Sequence, residues 1–197
     1  MVLYIVRHGE TDWNVEHRYL GSTDLPLNER GLEQAAVLAD RFQDISLAAV
    51  YASDLTRSYQ TAEIIGRLHG LQVSVLPELR EISFGDWEGL SESEIAERYG
   101  ADLYRKWKED PGVIPIPRGE SLEKLLARSL AGIEKIKARH FKERTLLVTH
   151  GGNMMALGCH FNDEPLSRFW DYFPGNSAVY TLTMKDDELT LVPGLEE

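Results

Sequence analysis

Two places in the chain put a histidine in front of a glycine after an apolar, β-favouring run. Val2-Leu3-Tyr4-Ile5-Val6 leads into Arg7-His8-Gly9-Glu10, and Thr145-Leu146-Leu147-Val148-Thr149 leads into His150-Gly151-Gly152. A neutral imidazole can serve as nucleophile, base or metal ligand, and an adjacent arginine offers paired donors to an oxyanion. Metal binding is one reading, yet neither histidine has a second ligand at a short helical or loop spacing. The other reading needs phosphate: one imidazole attacks phosphorus while guanidinium groups neutralise its oxygens.

The elements that must deliver these residues can be read from the hydrophobic pattern. Val2 to Val6 reads as a strand buried on both faces, as in a parallel sheet, with Arg7 and His8 at its carboxyl end, where open α/β sheets place their ligand crevice. Leu47 to Ala52 is a second such run and ends at Ser53-Asp54, either of which can cap a helix over roughly Leu55 to Leu68, closed by Gly70. That places Arg57 in a first helical turn on the same rim as Arg7 and His8. Asn28 precedes a helical stripe of Leu32, Ala35, Ala36, Leu38, Ala39 and Phe42, and Ser91 to Glu94 is a capping box for a helix to about Tyr99. Ser121 opens the longest helix.

Val73 to Leu76 reads as a short strand, and Ala178 to Met184 with Leu189 to Val192 as a hairpin across Lys185-Asp186-Asp187. The segment Thr11 to Leu27 is polar and irregular. From Gly100 to Gly119 aromatics, charges and prolines mix without a clear period, which suggests an ordered excursion over the sheet rim. Strands alternating with helices predict a three-layer α/β/α fold on a mainly parallel sheet.

Composition bounds the function. The chain has 197 residues, enough for one sizeable core, so residues 1–197 are expected to form one domain. Its net charge of −11 argues against a general nucleic-acid or anionic-membrane binder, but leaves room for a small phosphorylated substrate held by converging arginines. The amino terminus is not expected to be a signal peptide, and no apolar run reaches membrane-span length. A single cysteine, Cys159, fits a reducing compartment, so a cytoplasmic protein is expected. Cys159 lacks the arginine six residues on that a cysteine phosphatase needs, Pro165 standing there, and reads as a small core residue.

Taken together, Val6-Arg7-His8-Gly9-Glu10-Thr11, Asn14, Gly21, Arg57, Glu81 and Thr149-His150-Gly151 resemble the histidine phosphatase superfamily, which includes the cofactor-dependent phosphoglycerate mutases. The resemblance runs from residue 3 to about residue 177. It implies a phosphoglycerate mutase-like fold, His8 as the nucleophile that becomes phosphohistidine, and Arg7 and Arg57 as grips on the phosphoryl oxygens. It implies His150 as a cationic donor in the same pocket, with Asn14, the Gly21 N–H and Gly151 adding neutral contacts. Glu81 would be the general acid, its pKa raised by burial near Ile82, Phe84 and Trp87. No metal and no cofactor are implied.

Within that superfamily the chain departs from the mutase pattern. Around Glu81 it reads Arg80-Glu81-Ile82-Ser83-Phe84-Gly85-Asp86-Trp87-Glu88-Gly89, and before the long helix Pro117-Arg118-Gly119-Glu120-Ser121, with no paired arginines. Both stretches are similar to α-ribazole-5′-phosphate phosphatases of cobalamin assembly and to broad-specificity relatives, so phosphomonoester hydrolysis is expected. A phosphoglycerate mutase is the alternative. A non-catalytic phosphate-binding protein is a second, but it would be expected to have lost His8, Arg57 or His150. The leaving-group wall is expected from Leu20 to Thr23 with Tyr104, Trp107 and Arg118, mostly apolar and suited to a nucleoside-like or aryl group. Trp13, Trp87, Trp107 and Trp170 read primarily as packing, and His17, His69, His140 and His160 carry no visible chemistry. Leu166 to Phe173 reads as core or as a homodimer face.

Overall fold

The computed structural model describes residues 1–185 and 188–195. Its centre is β1 (Val2–Arg7), in which Leu3 and Ile5 face one side and Tyr4 and Val6 the other, all fully buried. A strand buried on both faces must lie inside a sheet covered by helices, and this one does. The short helix α1 (Asp12–Val15) follows, then α2 (Glu29–Phe42), β2 (Ala49–Ala52), α3 (Thr56–Leu68) and the short β3 (Val73–Val75). The helices α4 (Glu92–Tyr99), α5 (Ala101–Glu109) and α6 (Leu122–Arg139) precede β4 (Arg144–Thr149), α7 (Gly151–Phe161) and the hairpin β5 (Val179–Lys185) and β6 (Glu188–Pro193). Residues 186 and 187, where the sequence places the hairpin turn, lie outside the described residues.

The sheet order is β3-β2-β4-β1-β5-β6. Pairings β3–β2, β2–β4 and β4–β1 are parallel, and β5 and β6 add an antiparallel edge. This is a three-layer α/β fold on a mixed, mostly parallel sheet. Leu38, Ala39 and Phe42 of α2 and Ala62 and Ile65 of α3 cover one face against Tyr4, Val6, Val50 and Val148. Ile133 and Ile136 of α6 and Met154 and Leu157 of α7 cover the other, against Leu3, Ile5 and Leu147. Each Val, Leu, Ile, Met or Phe among them removed from water contributes roughly 1.5–3 kcal/mol, which sets a rigid platform under the rim.

Three local expectations need correction. Neither Ser53 nor Asp54 caps α3: Leu55 holds the N-cap position, and the Ser53 hydroxyl instead meets His150 across the sheet at 2.6 Å. Leu32 is exposed, because α2 buries the face of Gly31, Ala35, Leu38 and Phe42. The stretch 101–109 is not irregular but helical, with Tyr104 and Trp107 buried inward and Asp102, Arg105, Lys106 and Glu109 pairing along the outside. The expected starts of α2, α4 and α6 match, and Asn28, Ser91 and Ser121 each cap their helix by accepting a backbone N–H from the first turn.

A satellite core lies above the rim. Phe84, Trp87, Tyr104, Trp107 and Phe169 pack with Ile95, Leu125, Met155 and Cys159. Trp87 and Trp107 meet edge to face with centroids 5.0 Å apart, and Tyr19 meets Phe84 at 4.8 Å. Such pairs add about 0.5–1.5 kcal/mol beyond area burial and fix the ring orientations.

Candidate active site

Parallel pairing of β1 with β4 sets Arg7 opposite Thr149, so the residues that follow, His8 and His150, leave the sheet side by side. Their ring centroids are 5.1 Å apart, about one inter-strand spacing. His8 is 2% exposed and its Nδ1 lies 2.6 Å from the Gly9 carbonyl oxygen. A carbonyl can only accept, so Nδ1 carries the proton and Nε2 keeps its lone pair. Burial, then the charges of Arg57 and Arg7, hold the His8 pKa well below the usual histidine value, so the ring is neutral.

Arg57, in the first turn of α3, donates from Nε towards His8 Nε2 at 3.3 Å. Its other two nitrogens donate to the carbonyls of Thr23 (2.9 Å) and Gly21 (2.7 Å). Burial lowers its pKa to about 10, with Glu81, Asp24 and Glu88 working in the opposite direction. Arg7 donates from Nη1 to the Pro174 carbonyl at 2.6 Å, and its guanidinium carbon lies 5.3 Å from the Phe173 ring centroid. Its Nε is buried without a partner among the described residues.

Glu81 follows the turn Pro77–Leu79 and is buried. The Gly152 N–H, at the start of α7, donates to both of its oxygens, and the Ile82 N–H donates to Oε1 at 2.9 Å. Burial raises the Glu81 pKa in spite of those donors and of Arg57 and Arg7.

His150 is buried too, as the N-cap of α7. Its Nε2 meets Ser53 Oγ, and its Nδ1 has no partner among the described residues. Burial, then Arg57, pushes its pKa well down, which works against the cationic form expected of it from the sequence. Gly21 turns its carbonyl, not its N–H, to the site, where it holds Arg57, and a Cβ here would come within 2.3 Å of the Ile82 carbonyl.

Arg7, His8, Asn14, Glu81 and Gly151 line a cleft of about 840 Å³, whereas Arg57, His150 and Gly21 do not reach its surface. Asn14 Oδ1 accepts from the Thr11 N–H, the Thr11 hydroxyl and Asn176 Nδ2, each at 3.1 Å. That set of donors fixes the amide orientation and leaves Asn14 Nδ2 free to donate. Asn176, Gly152 and Ser53 are the positions sequence reasoning missed. Asn176 carries no local signal; Gly152 was signalled by the doubled glycine after His150.

The outer wall includes Leu20 and Tyr104 as expected, but not Trp107 or Arg118. Trp13 and Trp170 line the cleft with Tyr19, Leu20, Phe84, Tyr104 and Phe173, while Trp87 and Trp107 stay within the satellite core. Arg118 points to solvent and pairs with Asp86. The wall is also polar: His17, Arg18, Ser91, Glu92, Ser93 and Lys108 line it. Lys108 Nζ stands 3.5 Å above the Trp170 ring. Phe169 is core and Phe173 belongs to the cleft. Cys159 is a buried thiol whose pKa burial pushes up to about 11. Among the described residues no group of three or more His, Cys, Asp or Glu is placed to hold a metal, and no helix is long and apolar enough to cross a membrane.

The family model of the histidine phosphatase superfamily (branch 1) matches residues 3–193. The chain therefore belongs to that superfamily, and by class it is a phosphoric monoester hydrolase. Phosphoserine phosphatase 1 of Hydrogenobacter thermophilus is 34% identical over 184 residues, 93% of this chain and 87% of that one. Among solved structures, YhfR of Bacillus stearothermophilus superposes with a TM-score of 0.92 at 33% identity, covering 98% of this chain and 95% of that one. The α-ribazole phosphatase of Shigella flexneri gives 0.88 at 28% identity, covering all of both chains.

Proposed function

We propose that this chain hydrolyses small phosphomonoesters through a phosphohistidine on His8. His8 Nε2 attacks phosphorus, the bond to the ester oxygen breaks, and Glu81 gives that oxygen its proton. Glu81, now a carboxylate, then takes a proton from water, whose oxygen displaces His8 and releases phosphate. Arg7 and the free Asn14 Nδ2 face the phosphoryl oxygens from the cleft wall. Arg57 reaches them by exchanging its long contact to His8 for a phosphoryl oxygen, and His150 approaches from the neighbouring strand. A dianion between these groups would favour the protonated form of His150, against the burial and the Arg57 charge that disfavour it. The observation that carries this reading is the His8 tautomer, with an unprotonated Nε2 beside a buried guanidinium.

The leaving group is accommodated by a wall both aromatic and charged, which suits a polar alcohol up to nucleoside size better than a purely apolar aryl group. α-Ribazole 5′-phosphate fits that description, as do broad classes of small phosphomonoesters. The test is phosphate release, with chelator present and at mildly acidic pH, from α-ribazole 5′-phosphate, nucleoside monophosphates, phosphoserine and 3-phosphoglycerate. An acid-labile phosphoryl group absent from His8→Ala is expected. A preference of one or two decades for α-ribazole 5′-phosphate would assign a biosynthetic role, and a flat profile a broad one. Bisphosphoglycerate-dependent interconversion of 3-phosphoglycerate without phosphate release would overturn hydrolysis in favour of a mutase.

A further inference from the structure

Glu88 lies outside the lining of the cleft and has no part in the chemistry above. Its half-buried carboxylate nevertheless collects donors from two segments. They are the Ser22 N–H (2.8 Å) and hydroxyl (2.7 Å), the Thr23 N–H (2.8 Å) and hydroxyl, and the Phe84 N–H (3.2 Å). Burial opposes its charge, yet the hydroxyl and amide donors of Thr23 and Ser22 outweigh it and hold the carboxyl below the usual range. Saturating one carboxylate with successive backbone N–H groups and their own hydroxyls fixes the conformation of the loop that carries them.

That loop is the one that holds Arg57. The Gly21 carbonyl accepts from Arg57 Nη2 and the Thr23 carbonyl from Nη1, on either side of the two N–H groups that Glu88 binds. Gly21 packs so closely that an added Cβ would meet Glu88 Oε1 at 2.6 Å. From Arg57 Nε the next group is His8 Nε2. A connected set of hydrogen bonds therefore runs from Glu88 through the loop to Arg57 and the imidazole. The loop has a second tether, from the Asp24 carboxylate to the Thr56 N–H (2.7 Å) and hydroxyl (2.8 Å), but that one is solvent-exposed.

We infer that Glu88 is the positioning residue for Arg57: by fixing the Gly21 and Thr23 carbonyls it aims the guanidinium at His8 and at the phosphoryl group. The inference rests on the reading of Arg57 as a phosphate ligand. An arginine with two nitrogens spent on backbone carbonyls can present only one edge to a ligand, so its aim is decided by where those carbonyls stand. Glu88 sets that aim without touching substrate.

The test is the affinity for orthovanadate, measured both as an inhibition constant and as direct binding without turnover. The proteins are wild type, Glu88→Gln, the double variant Ser22→Ala/Thr23→Val, Arg57→Ala and the combinations with Arg57→Ala. Glu88→Gln is expected to weaken vanadate binding about tenfold or more, and Ser22→Ala/Thr23→Val by less, as loss of charge-assisted bonds implies. In the Arg57→Ala background either change is expected to cost less than about twofold, since residues acting as one unit are not additive. The inference is overturned if Glu88→Gln lowers Tm yet leaves vanadate affinity unchanged, or if the two penalties multiply. Should Glu88→Gln fail to fold, Ser22→Ala/Thr23→Val and its cycle with Arg57→Ala decide the matter alone. A wild-type protein that binds no vanadate and releases no phosphate would overturn the Arg57 reading itself, and the inference with it.

Discussion

The Gly152 N–H donates to both carboxylate oxygens of Glu81, at 3.0 and 3.1 Å, so Glu81 rests on the amino terminus of α7. A Cβ on residue 152 would come within 2.3 Å of Glu81 Oε1. Glycine is therefore needed for close approach, and the helix end restrains how far burial can raise the Glu81 pKa. Glu81→Gln keeps an acceptor for Gly152 and Ile82 but has no proton to give. It is expected to lower kcat roughly 100- to 10,000-fold while Tm at neutral pH holds or rises. Gly152→Ala should lower both activity and Tm, measured by steady-state kinetics and thermal melts.

Asn176 reaches the site from far along the chain and acts on Asn14, not on the chemistry. Asn176→Ala removes one of the donors that fix the Asn14 amide. It is expected to raise the KM for phosphomonoesters about tenfold, the worth of one hydrogen bond, with a smaller change in kcat. Asn14→Asp should be worse, since it turns a donor towards the phosphoryl group into an anion. Inhibition by orthophosphate checks both.

The buried groups also set how stability depends on pH. His8 and His150 have depressed pKa values when folded, so the unfolded chain binds more protons below the ordinary histidine value of about 6.5. Their contribution is fully present above that value and is lost as pH falls, by about 1.4 kcal/mol per pH unit for each. Glu81, raised when folded, binds its proton earlier in the native state and offsets roughly one of the two between its unfolded and folded values. Urea unfolding across mildly acidic pH should show this net slope. Glu81→Gln should steepen it, and His150→Gln should flatten it.

The same groups shape the rate. On the proposed mechanism phosphoryl transfer needs His8 neutral and Glu81 protonated; the lowered His8 pKa extends that window on its acid side and the raised Glu81 pKa on its alkaline side. The pH profile of kcat/KM is expected to be bell-shaped, falling on its alkaline side as Glu81 ionises. Glu81→Gln should abolish the alkaline limb that Glu81 sets while lowering the plateau.

Lys108 and Glu92 bring opposite charges to the outer wall of the cleft. Glu92→Gln is expected to raise KM for substrates whose alcohol carries a cation and to lower it for anionic ones, by a few-fold and less at high salt. Lys108→Met should do the reverse. Single-turnover transfer to His8 is expected to stay unchanged in both, since neither side chain touches the reacting atoms.

What the sequence made legible follows from how local each signal is. The apolar runs ending in Arg7-His8-Gly9 and Thr149-His150-Gly151 state both a buried parallel strand and the residues at its rim, so sheet and reactive centre could be read together. Ser53 misled because its type favours a helix cap, whereas His150, just beyond the end of β4, claims its hydroxyl. The helix α5 was in the pattern, since Leu103, Tyr104 and Trp107 share a face, but the prolines that follow obscured it. Which tryptophans face solvent depends on the neighbours packed behind them: Trp13 and Trp170 reach the cleft, while Trp87 and Trp107 are sealed among other rings. Residue type alone carries no such information.

The adjacency of β1 and β4 has a consequence for how the protein comes into being. A nascent chain that has emerged as far as the end of α6 already carries Arg7, His8, Arg57 and Glu81. The central strand pairing still awaits Arg144–Thr149, and with it the imidazole that stands beside His8. Closing so long a loop has to be met before its contacts reward it, which makes parallel pairing of this kind slow. Regain of phosphatase activity on refolding should therefore track the slowest structural phase, long after helix formation is complete.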